Sequence, residues 1–527
     1  MCNKTSSLIK AVSLAAAMLP AIAAADELTI GARSELTMDP HFLWTGANTS
    51  YHVQIYGALL QLDAKAQVRP MLAESWRTVD DTTWEFKLRE GVVFHDGTPF
   101  TAADVVATFK RLPNVPNAAG PLTGALVGIR DVVAVDDFTV HVLTNGPSPV
   151  VPHQVAQIPI IPSEIAESAT TADFNTGKAA IGAGPFAIDT YVAGDRLELR
   201  RFDQFWGDKP EWERATFRFI SDDSARVAAF LSGSVDMIDA VPPVDVSRLR
   251  ETPEAIVHTG SSDRVIFLWM DHERDVTPFA TDLDGKPLAK NPFKDSRVRR
   301  AINHAINRDV IVDRVMDKLA IPASQIVPPG FGGYDEAIDV PSYDPELAKS
   351  LLKEAGYPDG FGLTIHCPND RYVNDGAVCQ AVGQQLAQIG LKMIVEPMPR
   401  AVYFPMVTDH AGERSSLFLF GWGSSSGGEA DLLWQGIHTF DKDKKLGTWN
   451  LGHYSNAEAD ALIEKALVTL DADERHRIEA GVIKTIMEDV AVVPLHYQTV
   501  NVATRKGLSY TVHADENTLI TEVKKQP

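Results

Sequence analysis

Residues Trp84-Glu85-Phe86-Lys87-Leu88-Arg89-Glu90-Gly91-Val92-Val93-Phe94-His95-Asp96-Gly97-Thr98-Pro99-Phe100-Thr101-Ala102-Ala103-Asp104-Val105 place a strand, a turn and a helix start in one run. From Thr83 to Leu88 a short run rich in β-branched and aromatic residues reads as a strand. In Phe94-His95-Asp96-Gly97 the glycine fixes a turn, a reading that outweighs a catalytic His-Asp pair. Thr101 with Asp104 makes a capping box, and Val105, Phe109 and Leu112 fall on one face of the helix it opens.

The same alternation of strand and helix signals runs outward in both directions, with no low-complexity linker and no repeat of fixed period. Asp344 before Pro345 starts a helix that buries Ala348, Leu351, Leu352 and Ala355, with Gly356 placed for a left-handed cap. From Asp375, the residues Val378, Val382, Leu386 and Ile389 share a face before Gly390. A further helix is expected from about Ser296, with Val298, Ile302, Ile306 and Val310 spaced by four. Strands are expected at Val132–Val142, Val265–Trp269, Leu417–Trp422 and Ala491–His496. The pattern predicts mixed α/β domains built from interleaved segments.

At the amino end, Lys4 and Lys10 precede an apolar stretch from Ala11 to Ala24 that closes on Ala23-Ala24-Ala25, the pattern of a secretory signal peptide cleaved after Ala25. The stretch is short and holds Pro20, which argues against a membrane anchor, and Cys2 precedes the apolar run, which argues against lipidation. The formal net charge of −21, or −23 once Lys4 and Lys10 are removed, excludes nucleic acid or an anionic membrane as the main partner. About 500 remaining residues exceed one ordinary core. Cleavage leaves Cys367 and Cys379 in a compartment that permits oxidation. A disulfide is expected, worth ~3 kcal/mol in the chain-entropy model; two buried free thiols are the alternative, and no nearby ligand pair suggests zinc.

Leu72-Ala73-Glu74-Ser75-Trp76 and the opening run, followed by Gly182-Ala183-Gly184-Pro185-Phe186, Asp203 to Trp206, Gly233 with Asp236, Asp295 to Arg308, Ala348 to Gly356 and Pro494-Leu495-His496, resemble in order the dipeptide/oligopeptide/nickel-binding family, the extracytoplasmic receptors of ABC importers. Ala183 stands where that family has threonine and Asn307 where it has aspartate.

The resemblance implies an α/β, two-lobed periplasmic-binding-protein-like fold of class II type, with an extra subdomain inserted in the first lobe. One lobe would comprise 26–265 and 490–527, with the insert near 70–178, and the other 266–489. Two crossing strands, near 264–271 and 487–495, would act as the hinge. Arg297, Arg299 and Arg300 would then be a solvated or lobe-bridging face and no phosphate site. The expected role is non-enzymatic: a monomer, without cofactor or resident metal, that takes a small peptide or peptide-like solute to the permease subunits of an importer and meets the membrane only through them.

The resemblance also points to site residues. In the loop Asp39 to Asn48, the picks are Trp44, Thr45 and Asn48, one apolar plate and two hydrogen-bonding groups. In Asn369 to Asp375, Arg371 matches an arginine that pairs with the ligand carboxylate in peptide-binding relatives, a sound use of a planar fork of donors. Its alternative is a salt bridge with Asp370 or Asp375. Tyr372 lies beside it. Trp422 offers a stacking face. The receptors for peptides carry an aspartate for the α-amine where this chain has Ser425, and a hydroxyl does not neutralise a desolvated ammonium. Glu429, Asp431 or Asp271 would replace that carboxylate, or the solute lacks a free amine and Ser424 to Ser426 bind hydroxyls of a sugar-bearing or opine-like acid.

Two rival classes remain. Gly423-Ser424-Ser425-Ser426-Gly427 matches a nucleophile elbow, with Asp431 or Asp460 and His496 in the chain order of a hydrolase, though no oxyanion-hole motif accompanies it. The 15 histidines show no metal-ligand spacing, so metal enters only as a chelate carried by the solute.

Overall fold

The first strand, Glu27–Ala32, buries Leu28, Ile30 and Ala32 in the computed structural model, which describes residues 26–33, 35–43, 46–118, 122–408, 415–423 and 430–526. It runs parallel to Arg214–Phe219 on one side and to Met237–Ile238 on the other. Arg196–Arg201 and Phe186–Val192 extend the sheet antiparallel beyond Arg214–Phe219.

The opening run of the sequence builds a separate four-stranded antiparallel sheet, ordered Ala73–Asp80, Thr83–Leu88, Thr139–Thr144, Ile129–Asp136. Phe86, Val140 and Val142 face the buried Phe94, Phe100, Val105 and Phe109 in one apolar cluster. Asp104 accepts the Thr101 N–H at 2.8 Å and the Ser163 N–H at 2.7 Å, so the expected cap also docks a second helix. Gly97 has φ 87°, and the His95 ring bonds the Gly184 carbonyl oxygen at 3.0 Å: the motif is a turn. Gly182 and Gly184 press against the helix Gly46–Ile55, where an added Cβ would lie 2.1 Å from the Ile55 oxygen and 2.4 Å from that of Gln54.

Two long strands, Ala255–Met270 and Val492–Arg505, pair antiparallel along most of their length. The end of Val492–Arg505 pairs antiparallel with Met237–Ile238, and the end of Ala255–Met270, from Arg264 on, pairs antiparallel with Leu417–Gly423. The register breaks between Ser261 and Val265, opposite Thr499 and Tyr497. There the polar residues Ser261-Ser262-Asp263-Arg264 interrupt the ladder. Beyond it, Gly362–Pro368 pairs parallel with Lys392–Met398 and touches Leu417–Gly423, and the helices Ser296–Ala305, Pro345–Glu354 and Asp375–Ala387 contribute Val298, Ile302, Ala348, Leu352, Val378 and Val382 to their own core.

Local expectations needed correction at three places. Val132–Val142 is a hairpin and not one strand, since Asp137 and Phe138 turn between Ile129–Asp136 and Thr139–Thr144. The helix from Ser296 stops at Ala305, Ile306 is extended, and Val310 is exposed. Arg299 is not on a solvated face: it is buried, bonding the Phe293 oxygen at 3.0 Å and the Asp489 side chain at 2.5 Å.

Candidate functional site

Arg371 owes its position to a short loop that folds back on the helix after it. Pro368 ends its strand, Asn374 takes a left-handed conformation (φ 53°), and the Asp375 carboxylate accepts the N–H of Arg371 at 3.0 Å and of Tyr372 at 2.9 Å. A Cys367–Cys379 disulfide, Cα atoms 6.5 Å apart, closes the base of this loop. Tyr372 then packs beneath Gly421, where an added Cβ would lie 2.6 Å from its ring, and its hydroxyl donates to the Gly421 oxygen at 3.2 Å.

The Arg371 guanidinium lies over the Tyr372 ring, 5.0 Å from the centroid. Among the described residues it makes no hydrogen bond and no ion pair: Asp375 is engaged by backbone, and Asp370 accepts the Arg400 N–H at 2.6 Å. Burial, and then the Arg264 cation nearby, lower its pKa from the ordinary guanidinium value. A half-buried guanidinium whose donors are not taken up among the described residues can receive an anion.

Opposite stands the break in the crossing strands. Arg264 sits across from Gly423 and Val265 across from Trp422. The Arg264 guanidinium reaches Glu516 of the carboxyl-terminal segment through Nε at 3.1 Å and Nη2 at 3.2 Å, and Ser262 Oγ donates to the same carboxylate at 2.8 Å. Burial works against both charges, yet each partner outweighs it: the Arg264 pKa is raised and that of Glu516 lowered. The Trp422 indole N–H donates to Asp431 at 2.8 Å, and its ring meets Trp449 edge-on at 6.2 Å.

Asp431 also lines a cavity of about 300 Å³ walled by Trp84, Val150 and Pro152 and by Trp434, Leu467 and Leu470. The aromatic wall at Trp422 thus adjoins an apolar space between two parts of the chain.

Arg371 and Tyr372 come together at Gly421, and Trp422 follows on the same strand, packed with Phe420 and Trp449. Trp44, Thr45, Ser424, Ser425 and Glu429 lie outside the described residues. Asn48 is a buried brace of its loop, taking the Thr37 N–H at 2.8 Å and giving to the Leu43 oxygen at 2.9 Å. That loop is anchored by Asp39, whose carboxylate holds Arg111 at 2.7 and 2.9 Å, beside His41, whose pKa burial and the Arg111 charge lower to about 3. Asp271 stands beyond the far end of its strand, occupied by Arg274 Nε at 2.6 Å and Thr277 Oγ1 at 2.6 Å, and so does not offer a free carboxylate. Of the hydrolase constellation, Ser424 to Ser426 lie outside the described residues; among the described residues neither ring nitrogen of the buried His496 has a hydrogen-bond partner, Asp431 serves Trp422 and Gln435, and Asp460 serves Thr439. Among the described residues no three His, Cys, Asp or Glu side chains group as metal ligands.

Asp263, Arg264 and Glu516 were not foreseen from the sequence. Adjacent opposite charges just before the apolar run Val265–Trp269 were the one available signal, whereas Glu516 lies in a turn segment without a pattern of its own.

Comparison with known proteins yields a coherent set of likenesses. Residues 67–479 match the family described as bacterial extracellular solute-binding proteins, family 5 Middle. The glutathione-binding protein GsiB of Escherichia coli O1:K1 / APEC is 28% identical over 510 residues, covering 95% of this chain and 94% of the relative. The structure of AgaA from A. tumefaciens R10 in complex with agropinic acid aligns with TM-score 0.73 at 26% identity, covering 95% of this chain and 99% of the other. That of the periplasmic binding protein DppA from Helicobacter pylori in complex with peptide STSA aligns with TM-score 0.73 at 24% identity, covering 95% and 98%.

Proposed function

The chain belongs to family 5 of the bacterial extracellular solute-binding proteins, and from that premise we propose that its cargo is a peptide or peptide-like acid whose carboxylate is held by Arg371. The fold is the two-lobed type of that family, and the role is that of a solute-binding receptor for an ABC importer. The observation that carries the solute class is the Arg371 guanidinium, stacked on Tyr372 and without a hydrogen bond or ion pair among the described residues. The name of GsiB, a glutathione-binding protein, supports the same class.

We assign 26–265 with 490–527 to one lobe, with 70–178 inserted in it, and 266–489 to the other. Separate apolar clusters support the division: Leu28, Ile30, Phe186 and Phe217 in one, Phe86, Phe94 and Val140 in the insert, Val298, Ile365 and Val378 in the third. The two strands that pass between the lobes let them rotate while each core stays packed. A solute touching Arg371 and Trp422 on one side and the other lobe opposite favours closure, because only differential affinity shifts a two-state equilibrium. The closed form is what the permease recognises; the chemistry of ATP belongs to the importer. The protein works in the periplasm after cleavage behind Ala25.

The likeness to the agropinic acid complex of AgaA favours a second reading, an opine or sugar-bearing acid, whose carboxylate the same guanidinium would take. Mass spectrometry of the solute released from protein purified without denaturation tests both. An intact small acid is expected: a peptide supports the first reading, an opine the second. A neutral solute overturns the assignment of Arg371.

A further inference from the structure

The carboxylates around the crossing strands are, with one exception, already committed. Glu516 takes Arg264 and Ser262; Asp431 takes Trp422 and Gln435; Asp515 takes the Asn517 N–H at 3.0 Å and its amide at 2.7 Å. Asp263 differs. Its backbone N–H donates to the Ala514 oxygen at 2.9 Å, but its side chain, on a residue only 5% exposed, accepts nothing among the described residues. Its neighbour Arg264 has turned to Glu516, so the sequence-adjacent cation does not serve it.

Its position is as informative as its lack of partners. Asp263 Oδ1 lies against Gly423, where an added Cβ would come within 2.7 Å, and Gly423 follows Trp422 on the strand whose Gly421 covers Tyr372. Among the described residues, a buried acid without a donor and a half-buried guanidinium without an acceptor thus flank one strand end. Each is costly alone, and a ligand with both charges would satisfy both.

We propose that Asp263 is a specificity-determining residue that receives a cationic nitrogen of the solute, so that the cargo is a zwitterion gripped by Arg371 at its carboxylate and by Asp263 at its ammonium. This rests on the peptide-like reading above and adds to it a required amine and a second lobe, since Asp263 belongs to the opposite side of the assigned boundary from Arg371. The charges facing Asp263 are Arg264 on its own strand, Glu516 and Asp515 of the carboxyl-terminal segment, and Asp431 after Trp422; Arg371 faces the Arg264–Glu516 pair. Burial first, and the three acids after it, raise the Asp263 pKa well above the ordinary value, against the pull of Arg264.

The test uses the full mature protein, thermal-shift screening and calorimetry, with a panel of glutathione, dipeptides and tripeptides and the same compounds N-acetylated. The wild type should respond to members with a free amine. Asp263→Asn, or Asp263→Ser should the first fold poorly, should bind them on the order of 30-fold more weakly or worse and discriminate less against the acetylated set. If the variants bind free-amine compounds as the wild type does, the role of Asp263 is overturned while the peptide-like reading stands. If the wild type responds only to acetylated compounds, the role of Asp263 is likewise overturned. If it responds to neither set, the peptide-like reading fails and takes this inference with it.

Discussion

Glu516 receives both arms of the Arg264 guanidinium, Nε at 3.1 Å and Nη2 at 3.2 Å, joining the carboxyl-terminal segment to the strand Ala255–Met270 at its register break. The pair sits at the register shift between Ser261 and Val265, beside the Arg371 guanidinium.

Replacing Glu516 by Gln leaves Arg264, whose side chain is 15% exposed, without its counter-charge. The Glu516 side chain is 34% exposed, so water softens the loss to about 1–3 kcal/mol. Denaturant unfolding of the ligand-free protein should show that decrease; an unchanged midpoint would mean the pair adds nothing net.

Arg371→Ala should behave in the opposite way. No ion pair is lost in the empty protein, so its melting temperature should hardly move, while binding of an acidic solute should weaken by ~2–5 kcal/mol. Calorimetry reads the affinity, and equal affinities for the two proteins would remove Arg371 from the site.

Reduction of Cys367–Cys379, or replacement of both by serine, should lower stability by ~3 kcal/mol. Because the bond closes the loop that presents Arg371, solute affinity should fall as well. Unfolding curves with and without reductant, each repeated at saturating solute, separate the two effects.

Buried histidines make the protein acid-sensitive. Burial lowers the pKa of His496 to about 4, and the same cause leads for His52, His95 and His272, also about 4. The unfolded chain takes up protons below about 6.5 and the folded one does not until near 4, so this stability is present above 6.5 and is lost as pH falls toward 4. His496→Leu forfeits no hydrogen bond and should flatten the slope in that window by about 1.4 kcal/mol per pH unit, as urea titrations would show. An unchanged slope would contradict the neutral buried ring.

How far the sequence could be read depended on whether the signal was local. The Asp104 cap, the left-handed Gly356 and Gly390, and the strand Thr83–Leu88 all follow from neighbours along the chain. The helix from Ser296 was over-extended because spacing by four continued through Ile306 although the backbone there is extended. Arg299 looked solvated because no local pattern discloses Asp489. At the site, Arg371 is implied by the resemblance to peptide-binding relatives, and Trp422 by its place before a serine- and glycine-rich loop. Asp271 looked equally available, and only the fold shows Arg274 and Thr277 upon it. Asp263 and Arg264 acquire meaning from Gly423 and Glu516, which chain order keeps far away.

The central claim is that two lobes close over a solute that they share and do not alter. Small-angle X-ray scattering tests it directly, comparing protein that retains its co-purified solute with protein unfolded, stripped and refolded. A smaller radius of gyration is predicted for the loaded form, with the solute recovered intact afterward. Identical radii, or a solute returned cleaved, would contradict the account.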